Sequence, residues 1–238
     1  MPGSFKTEAV VLRSIRYGEA DRVLHLYTAD HGRVGAVAKG VRRLKSRLGG
    51  RLEPLSRVQL VLHEGRGELC TIRQADTVHA HPALRERRES LERATQACEA
   101  VLRLFDSNEP NSPAYNLLCN ELALLDADPA RAGRAQALAF RLKLLLAAGF
   151  APELGSCATC GDAEQLGGFS PSAGGVVCAG CEAGSFPLCE EAHRFLVDAL
   201  ARPLSEAPAA SERALAQTDR ALAETLEHHA HVRLRRVA

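Results

Sequence analysis

Through its first eighty or so residues the chain alternates between apolar and polar positions with a period of two. The runs VVLRSIRYG, DRVLHLYTA, GRVGAVAKG, PLSRVQLVLHE and GELCTIRQADTVH are rich in Val, Leu and Ile. Turn signals at Gly18–Asp21, Asp30–Gly32 and Glu64–Gly67 separate them. This pattern predicts five short strands, the last two joined by a hairpin at the sequence EGRG. Five strands are too few for a two-sheet sandwich but suit a small closed barrel, and the five-stranded OB type is the common nucleic-acid binder among these.

After His81–Pro82 the period lengthens to that of a helix. Leu84, Leu91, Ala94, Cys98, Val101 and Phe105 fall on one helical face. Ser112–Pro113 supplies an N-cap and a proline for a second helix, which carries Leu117, Leu118, Leu122 and Leu125. A third helix follows Asp128–Pro129, runs through Leu138, Leu142, Leu145 and Leu146, and stops near Gly149. A glycine- and cysteine-rich insert comes next, then helices over about 189–202 and, capped by Ser211, about 212–230. The expected architecture is α+β and multidomain: a barrel over 1–80, a helical bundle over 81–154, an insert over 155–186, and C-terminal helices over 187–238 that complete the helical domain.

Charge changes the picture more than composition does. The net charge of +1 at 238 residues conceals 14 Lys+Arg against 8 Asp+Glu in residues 1–80, and 16 against 21 in the rest. The front domain therefore expects an anionic partner. Its centre is KGVRRLKSRLGGR, with Lys39, Arg42, Arg43, Lys45, Arg47 and Arg51 and no acidic residue from Val34 to Leu52. Lying between two predicted strands, this segment is expected to project as a flexible, glycine-containing loop or as a strand extension. Cations spaced along such a loop suit the repeat of a nucleic-acid backbone. A solvated surface loop is the plainer alternative, but six uncompensated cations repel one another. There is no tryptophan, and Phe5, Tyr17 and Tyr27 are the front domain's aromatics. That scarcity favours a salt-sensitive grip on phosphates over base reading, and all three rings are equally suited to the barrel core.

Cys157-Ala-Thr-Cys160 and Cys178-Ala-Gly-Cys181 are separated by seventeen residues. Two C-x-x-C pairs at that spacing form the pattern of a four-thiolate zinc ribbon or knuckle. Each turn aims two sulfurs to one side, and Gly161 and Gly180 let the backbone curl around the ion. With all four positions filled by protein, one Zn2+ here would be structural, stabilising an insert too small to fold alone. Four free thiols, a redox dithiol and an iron–sulfur cluster are the alternatives. Cys70, Cys98 and Cys119 fall on apolar faces as core residues, and Cys189 lies too far from either pair.

The sequence carries no P-loop, no G-x-G-x-x-G after a strand, no G-x-S-x-G and no H-E-x-x-H. His228, His229 and His231 sit late on a predicted helix, where they complement its dipole. The expectation is a non-catalytic protein. No apolar run reaches membrane-spanning length and no leader-like start is present, so a cytoplasmic location is expected.

Two stretches carry a family resemblance. YGEADRVLHLYT (17–28) followed by HGRVGAVAKGVRRLKSRLGGRLEPL (31–55) resembles the N-terminal signature of the bacterial RecO recombination mediators, and RLKLLLAAGFAPELGSCATCG (141–161) is similar to that family's helix leading into its zinc motif. The resemblance runs from residue 4 to about 200, and HHAHVRLRRVA at the C-terminus matches it poorly. It implies an N-terminal OB-fold, a helical domain and a zinc knuckle. It also implies binding of single- and double-stranded DNA, annealing of complementary strands without nucleotide hydrolysis, and cooperation with RecR in replacing single-strand-binding protein by RecA. By position, Lys39, Arg42, Arg43, Lys45, Arg47 and Arg51 lie in the family's basic stretch, and Arg13, Arg16 and Arg22 extend it from neighbouring strands. The protein is expected to be a monomer alone and nucleoid-associated during repair. A zinc-ribbon interaction module and an RNA-binding OB protein are the competing readings.

Overall fold

The computed structural model describes residues 3–44, 46, 48–65 and 67–237, so Lys45 and Arg47 lie outside the described residues. The chain divides into two compact units, Met1–Pro129 and Ala130–Ala238.

The first unit is built on β1 (Ser4–Tyr17), β2 (Asp21–Thr28), β3 (Gly32–Ala38), β4 (Arg57–His63) and β5 (Cys70–His79). They close into a barrel in the order β1-β2-β3-β5-β4, the five-stranded OB arrangement expected from the turn spacing. The long β1 makes closure possible: residues 4–10 pair with β4 and residues 9–17 with β2. A register shift between Val11 and Arg13 bends the strand where it changes partner. A short parallel pairing of β3 with β5 seals the seam. Ala9, Val11, Leu24, Leu26, Leu60 and Leu62 fill the interior from alternate positions.

Three helices complete this unit: α1 (Pro82–Glu86), α2 (Arg88–Leu104) and α3 (Ser112–Ala127). The single helix expected over 84–105 is two, broken at Arg87, whose backbone is extended (φ −127°, ψ 115°). Its first turn is tied down on both sides, by Arg85 donating to the Pro54 carbonyl at 2.8 Å and by the Leu84 N–H donating to Asp126 at 3.1 Å. The cap of α3 is Asn111, one residue before the expected Ser112, accepting from the Ala114 N–H at 2.9 Å. The helices cover the outer face of β1 and β2. Tyr27, fully buried, lies with its ring 5.5 Å from Phe105 and 6.5 Å from Tyr115. The Tyr115 hydroxyl donates to Glu8 at 2.7 Å, and Glu8 pairs with Arg57 at 2.5 Å.

The helices expected to form one bundle over 81–154 are thus divided. α4 (Arg134–Ala147) belongs to the second unit, where it packs with α5 (Glu190–Ala201) and α6 (Glu212–His229). Periodicity shows that a helix buries a face; it does not show against what, and for α2 and α3 the barrel is that surface. Leu138, Leu142, Leu145, Phe195, Leu196 and Leu222 form the second core. Within it Asp219, nearly inaccessible, meets Arg141 at 3.3 Å, with Arg134 at 3.9 Å and Arg236 at 3.7 Å. The same carboxylate accepts from the Val237 N–H at 3.4 Å, and Arg141 donates to the Arg235 carbonyl, so the C-terminal segment docks on its own unit.

The insert forms a sheet in the order β7-β6-β8, from β6 (Leu166–Ser170), β7 (Gly175–Cys178) and β8 (Phe186–Pro187). It leans on α6: the Arg220 guanidinium stands 4.0 Å over the Phe186 ring, and His229 Nε2 lies 2.7 Å from the Pro171 carbonyl. One of the three C-terminal histidines is therefore a clasp for the insert.

Candidate nucleic-acid interface and metal centre

The basic segment occupies the connection from β3 to β4, residues 39–56. It is not the flexible projection expected. Val41 and Leu52 are buried in the barrel core and Leu48 packs against it, so the connection closes one end of the barrel. Its start is clipped to the β1–β2 turn: the Gly40 N–H donates to Asp21 Oδ1 at 2.7 Å, and the Arg42 N–H to the Ala20 carbonyl at 2.9 Å. Its end is zipped to β1 by Leu55 N–H to Val11 carbonyl (2.8 Å) and Val11 N–H to Ser56 carbonyl (3.0 Å). Leu55 is held at φ +71°, a left-handed conformation disfavoured for leucine, and its carbonyl lies 2.8 Å from Nδ1 of buried His81. The anchors were visible as apolar residues at 41, 48 and 52 within the basic run; the density of charge there obscured them.

Lys39, Arg42, Arg43 and Arg51 are all exposed on this anchored scaffold. The Arg42 guanidinium donates to the Glu19 carbonyl at 3.0 Å and that of Arg51 to the Ala75 carbonyl at 3.3 Å, contacts that orient each side chain. Arg13 and Arg16, on β1, are exposed as well. Arg22 differs: it pairs with Glu53 at 3.2 Å and reaches Ser14 at 3.5 Å, which places it in the framework of the barrel end. His25 stands opposite Arg13 in the register. Burial, reinforced by the Arg33 and Arg13 charges, holds its imidazole below its ordinary value. Of the aromatics, Tyr27 is core and Phe5 packs on the barrel and against His31, whereas Tyr17 is exposed.

In the insert, the sulfurs of Cys157, Cys160, Cys178 and Cys181 all lie within 4.8 Å of one another. Cys160 and Cys178 are 3.7 Å apart, matching the separation of about 3.8 Å that a tetrahedral ion with metal–sulfur bonds of about 2.3 Å requires. The first knuckle closes through the Gly161 N–H donating to the Cys157 carbonyl at 2.8 Å, with Gly161 at φ +81°. Backbone N–H groups of Cys178 and Cys160 hold the Cys157 thiol down to about 6. Hydrogen bonding to Cys160, with burial, pushes Cys181 up to about 12. Crowded thiols cannot all ionise without a cation among them, so the donor set fits one metal ion held by four sulfurs, with no position left for substrate. Cys98 and Cys119 are buried core thiols, as expected, with Cys98 pushed up to about 12 by burial; Cys70 packs at the edge of the barrel core.

Fold and site together define a class: an OB barrel with a cation-bearing β3–β4 connection, followed by a helical unit with an inserted four-cysteine centre. Comparison with known proteins narrows the class. Residues 1–81 match the family described as Recombination protein O N terminal, and residues 85–237 match Recombination protein O C terminal. The chain is 40% identical over 209 residues to the DNA repair protein RecO of Rubrobacter xylanophilus, covering 85% of this chain and 83% of that one. It is 42% identical over 179 residues to that of Bifidobacterium animalis subsp. lactis, covering 73% and 72%. To that of Cutibacterium acnes it is 36% identical over 184 residues, covering 75% and 74%. The chain belongs to the RecO family of DNA repair and recombination proteins. The C-terminal match extends through residue 237, beyond the end near 200 expected from the sequence resemblance, in keeping with the docked tail. Among the described residues no helix is long and apolar enough to cross a membrane.

Proposed function

We propose that this protein grips the phosphate backbone of single- and double-stranded DNA on its β3–β4 connection and uses that grip to anneal complementary strands without nucleotide hydrolysis. The observation that carries the reading is a row of exposed cations, Lys39, Arg42, Arg43 and Arg51, on a connection whose apolar side is anchored in the barrel. Arg13 and Arg16 extend the row, as do Lys45 and Arg47 by their place in the sequence; Arg22 supports the framework instead. Two complementary strands repel each other, and a surface that neutralises phosphates on both lowers that barrier while base pairing supplies the driving force. No covalent bond changes, so the protein acts as a mediator and not as an enzyme. The family relationship supports the wider role: acting with RecR to help RecA displace single-strand-binding protein, in the cytoplasm and on the nucleoid during repair. The metal we assign as a single structural Zn2+ on Cys157, Cys160, Cys178 and Cys181, which holds the insert and takes no part in strand chemistry.

The test is strand annealing of complementary oligonucleotides, with and without single-strand-binding protein, over a salt series. The native chain is expected to accelerate annealing at low salt and to lose that effect as salt rises; the folded Lys39→Glu, Arg42→Glu, Arg43→Glu variant is expected to anneal no faster than naked strands. Native-like annealing by that variant would contradict the proposal.

A further inference from the structure

The turn of β1 after its bulge creates a surface that a phosphate grip does not use. Before the bulge Ala9 and Val11 face the core; after it Ser14 and Arg16 lie opposite Leu24 and Arg22, which leaves Ile15 and Tyr17 on the outer face. Directly opposed residues of antiparallel strands share a face. Ile15 pairs with Val23, and Val23 with Val37, so a short apolar strip crosses β1, β2 and β3 on the outside of the barrel. Farther along the same hairpin the helices cover Val10 and Tyr27 completely, while Ile15 and Tyr17 remain 42% and 60% exposed. Of the three tyrosines, Tyr27 and Tyr115 are buried, and Tyr17 alone among them presents its ring to solvent.

Charge identifies the occupant. At the Tyr17 end the strip runs into the β1–β2 turn, and the basic connection is bound to that turn by the Gly40–Asp21, Arg42–Ala20 and Arg42–Glu19 hydrogen bonds. The connection that carries exposed Lys39, Arg42 and Arg43 is therefore bonded to the turn that follows exposed Tyr17, and exposed Arg13 stands two residues from Ile15 at the other end. The register partner at the Tyr17 end is Asp21, whose carboxylate is engaged by the Gly40 N–H. An apolar strip with cations near both ends is complementary to a polyanion whose flat apolar groups are unpaired. It also lies on the β2–β3 side and first connecting loop, where OB barrels receive oligonucleotides.

We propose that Tyr17, backed by Ile15, Val23 and Val37, is a base-stacking platform for single-stranded DNA whose phosphates lie on Lys39, Arg42 and Arg43. This rests on the phosphate grip proposed above and sharpens it. Duplex bases are enclosed in their own stack, so the platform favours single strands. One ring also leaves most bases of a bound strand open to pairing, as annealing requires.

The experiment measures binding of the full-length chain to a labelled oligothymidylate and to a blunt duplex of equal length, across salt, for the native protein and Tyr17→Ala. The expected result is a loss of about 5- to 150-fold in single-strand affinity, the range for one stacked base, with duplex affinity and both salt slopes unchanged. Native-like single-strand affinity in a folded Tyr17→Ala variant would overturn the platform and leave the strip to a protein partner. An equal loss on duplex would also overturn it, because Tyr17 would then be supporting the basic connection. Flat salt slopes in the native protein would instead defeat the phosphate grip. A Tyr17→Trp variant gives a second readout in a chain that has no other tryptophan: its emission is expected to be quenched by saturating oligothymidylate, and unquenched emission in the bound state would overturn the proposal.

Discussion

The basic connection acts as an end-plug of the barrel, and Leu52→Ala tests this most sharply. Leu52 is 2% exposed within the barrel core, beside Val41 and Leu48. Truncation to alanine removes three carbons from an apolar site, about 2.4 kcal/mol at roughly 0.8 kcal/mol per buried carbon. The surrounding strands are hydrogen-bonded on both sides and collapse poorly, so a cavity penalty adds to this, giving about 3–4 kcal/mol within the range of about 2–5 kcal/mol for buried Leu→Ala changes. The loss is expected in two places. Urea unfolding followed by the barrel's circular dichroism should show the destabilisation, and hydrogen exchange should show earlier opening of the amides of Gly40 and Arg42, which are bonded to the β1–β2 turn. Affinity for DNA should also fall, although no cation has been touched, because the bound loop must be reordered. A destabilisation below about 1 kcal/mol, with native exchange at Gly40 and Arg42, would refute the plug and restore a floppy loop.

Other expectations follow from the framework. Burial opposes ionisation of Glu8, but Arg57 and the Tyr115 hydroxyl outweigh it and hold its carboxyl below its ordinary value. Its contribution is therefore complete above that value and lost as pH falls through the depressed folded-state value; Glu8→Gln should lower stability by about 1.5–3 kcal/mol at neutral pH and flatten the acid limb of a denaturation profile. Removing the metal with a chelator, or Cys160→Ser, should loosen the insert and raise proteolysis within 155–186, while the unfolding of the first unit stays in place. Asp219→Ala removes the carboxylate that faces buried Arg141 and should destabilise the second unit by about 3–5 kcal/mol, with the tail around Val237 becoming protease-sensitive.

The barrel was legible because its signals are local: alternation, glycine-bearing turns, and an abrupt change of period at His81–Pro82. The four cysteines were legible for the same reason, each pair carrying its own knuckle. What sequence did not disclose depends on partners distant in the chain. The break at Arg87 follows from ties to Pro54 and Asp126, and the assignment of α2 and α3 to the barrel follows from Tyr27 and Glu8, more than eighty residues from Tyr115. The framework role of Arg22 required Glu53 to be placed beside it. The exposure of Tyr17 depended on where the helices stop covering the hairpin. The bulge at Val11–Arg13, which decides which side of β1 faces solvent, leaves no mark in an alternating pattern.

The central claim, that DNA is held by phosphate contacts from the β3–β4 connection, is tested most directly by the salt dependence of single-strand binding. Each contact contributes about 0.7 to the slope of log affinity against log salt. Replacing Lys39, Arg42 and Arg43 together by alanine should reduce the slope by about 2, so that a fourfold rise in salt costs the variant about 20-fold less affinity than the native chain. A slope equal to the native one, in a variant that folds and binds, would contradict the account.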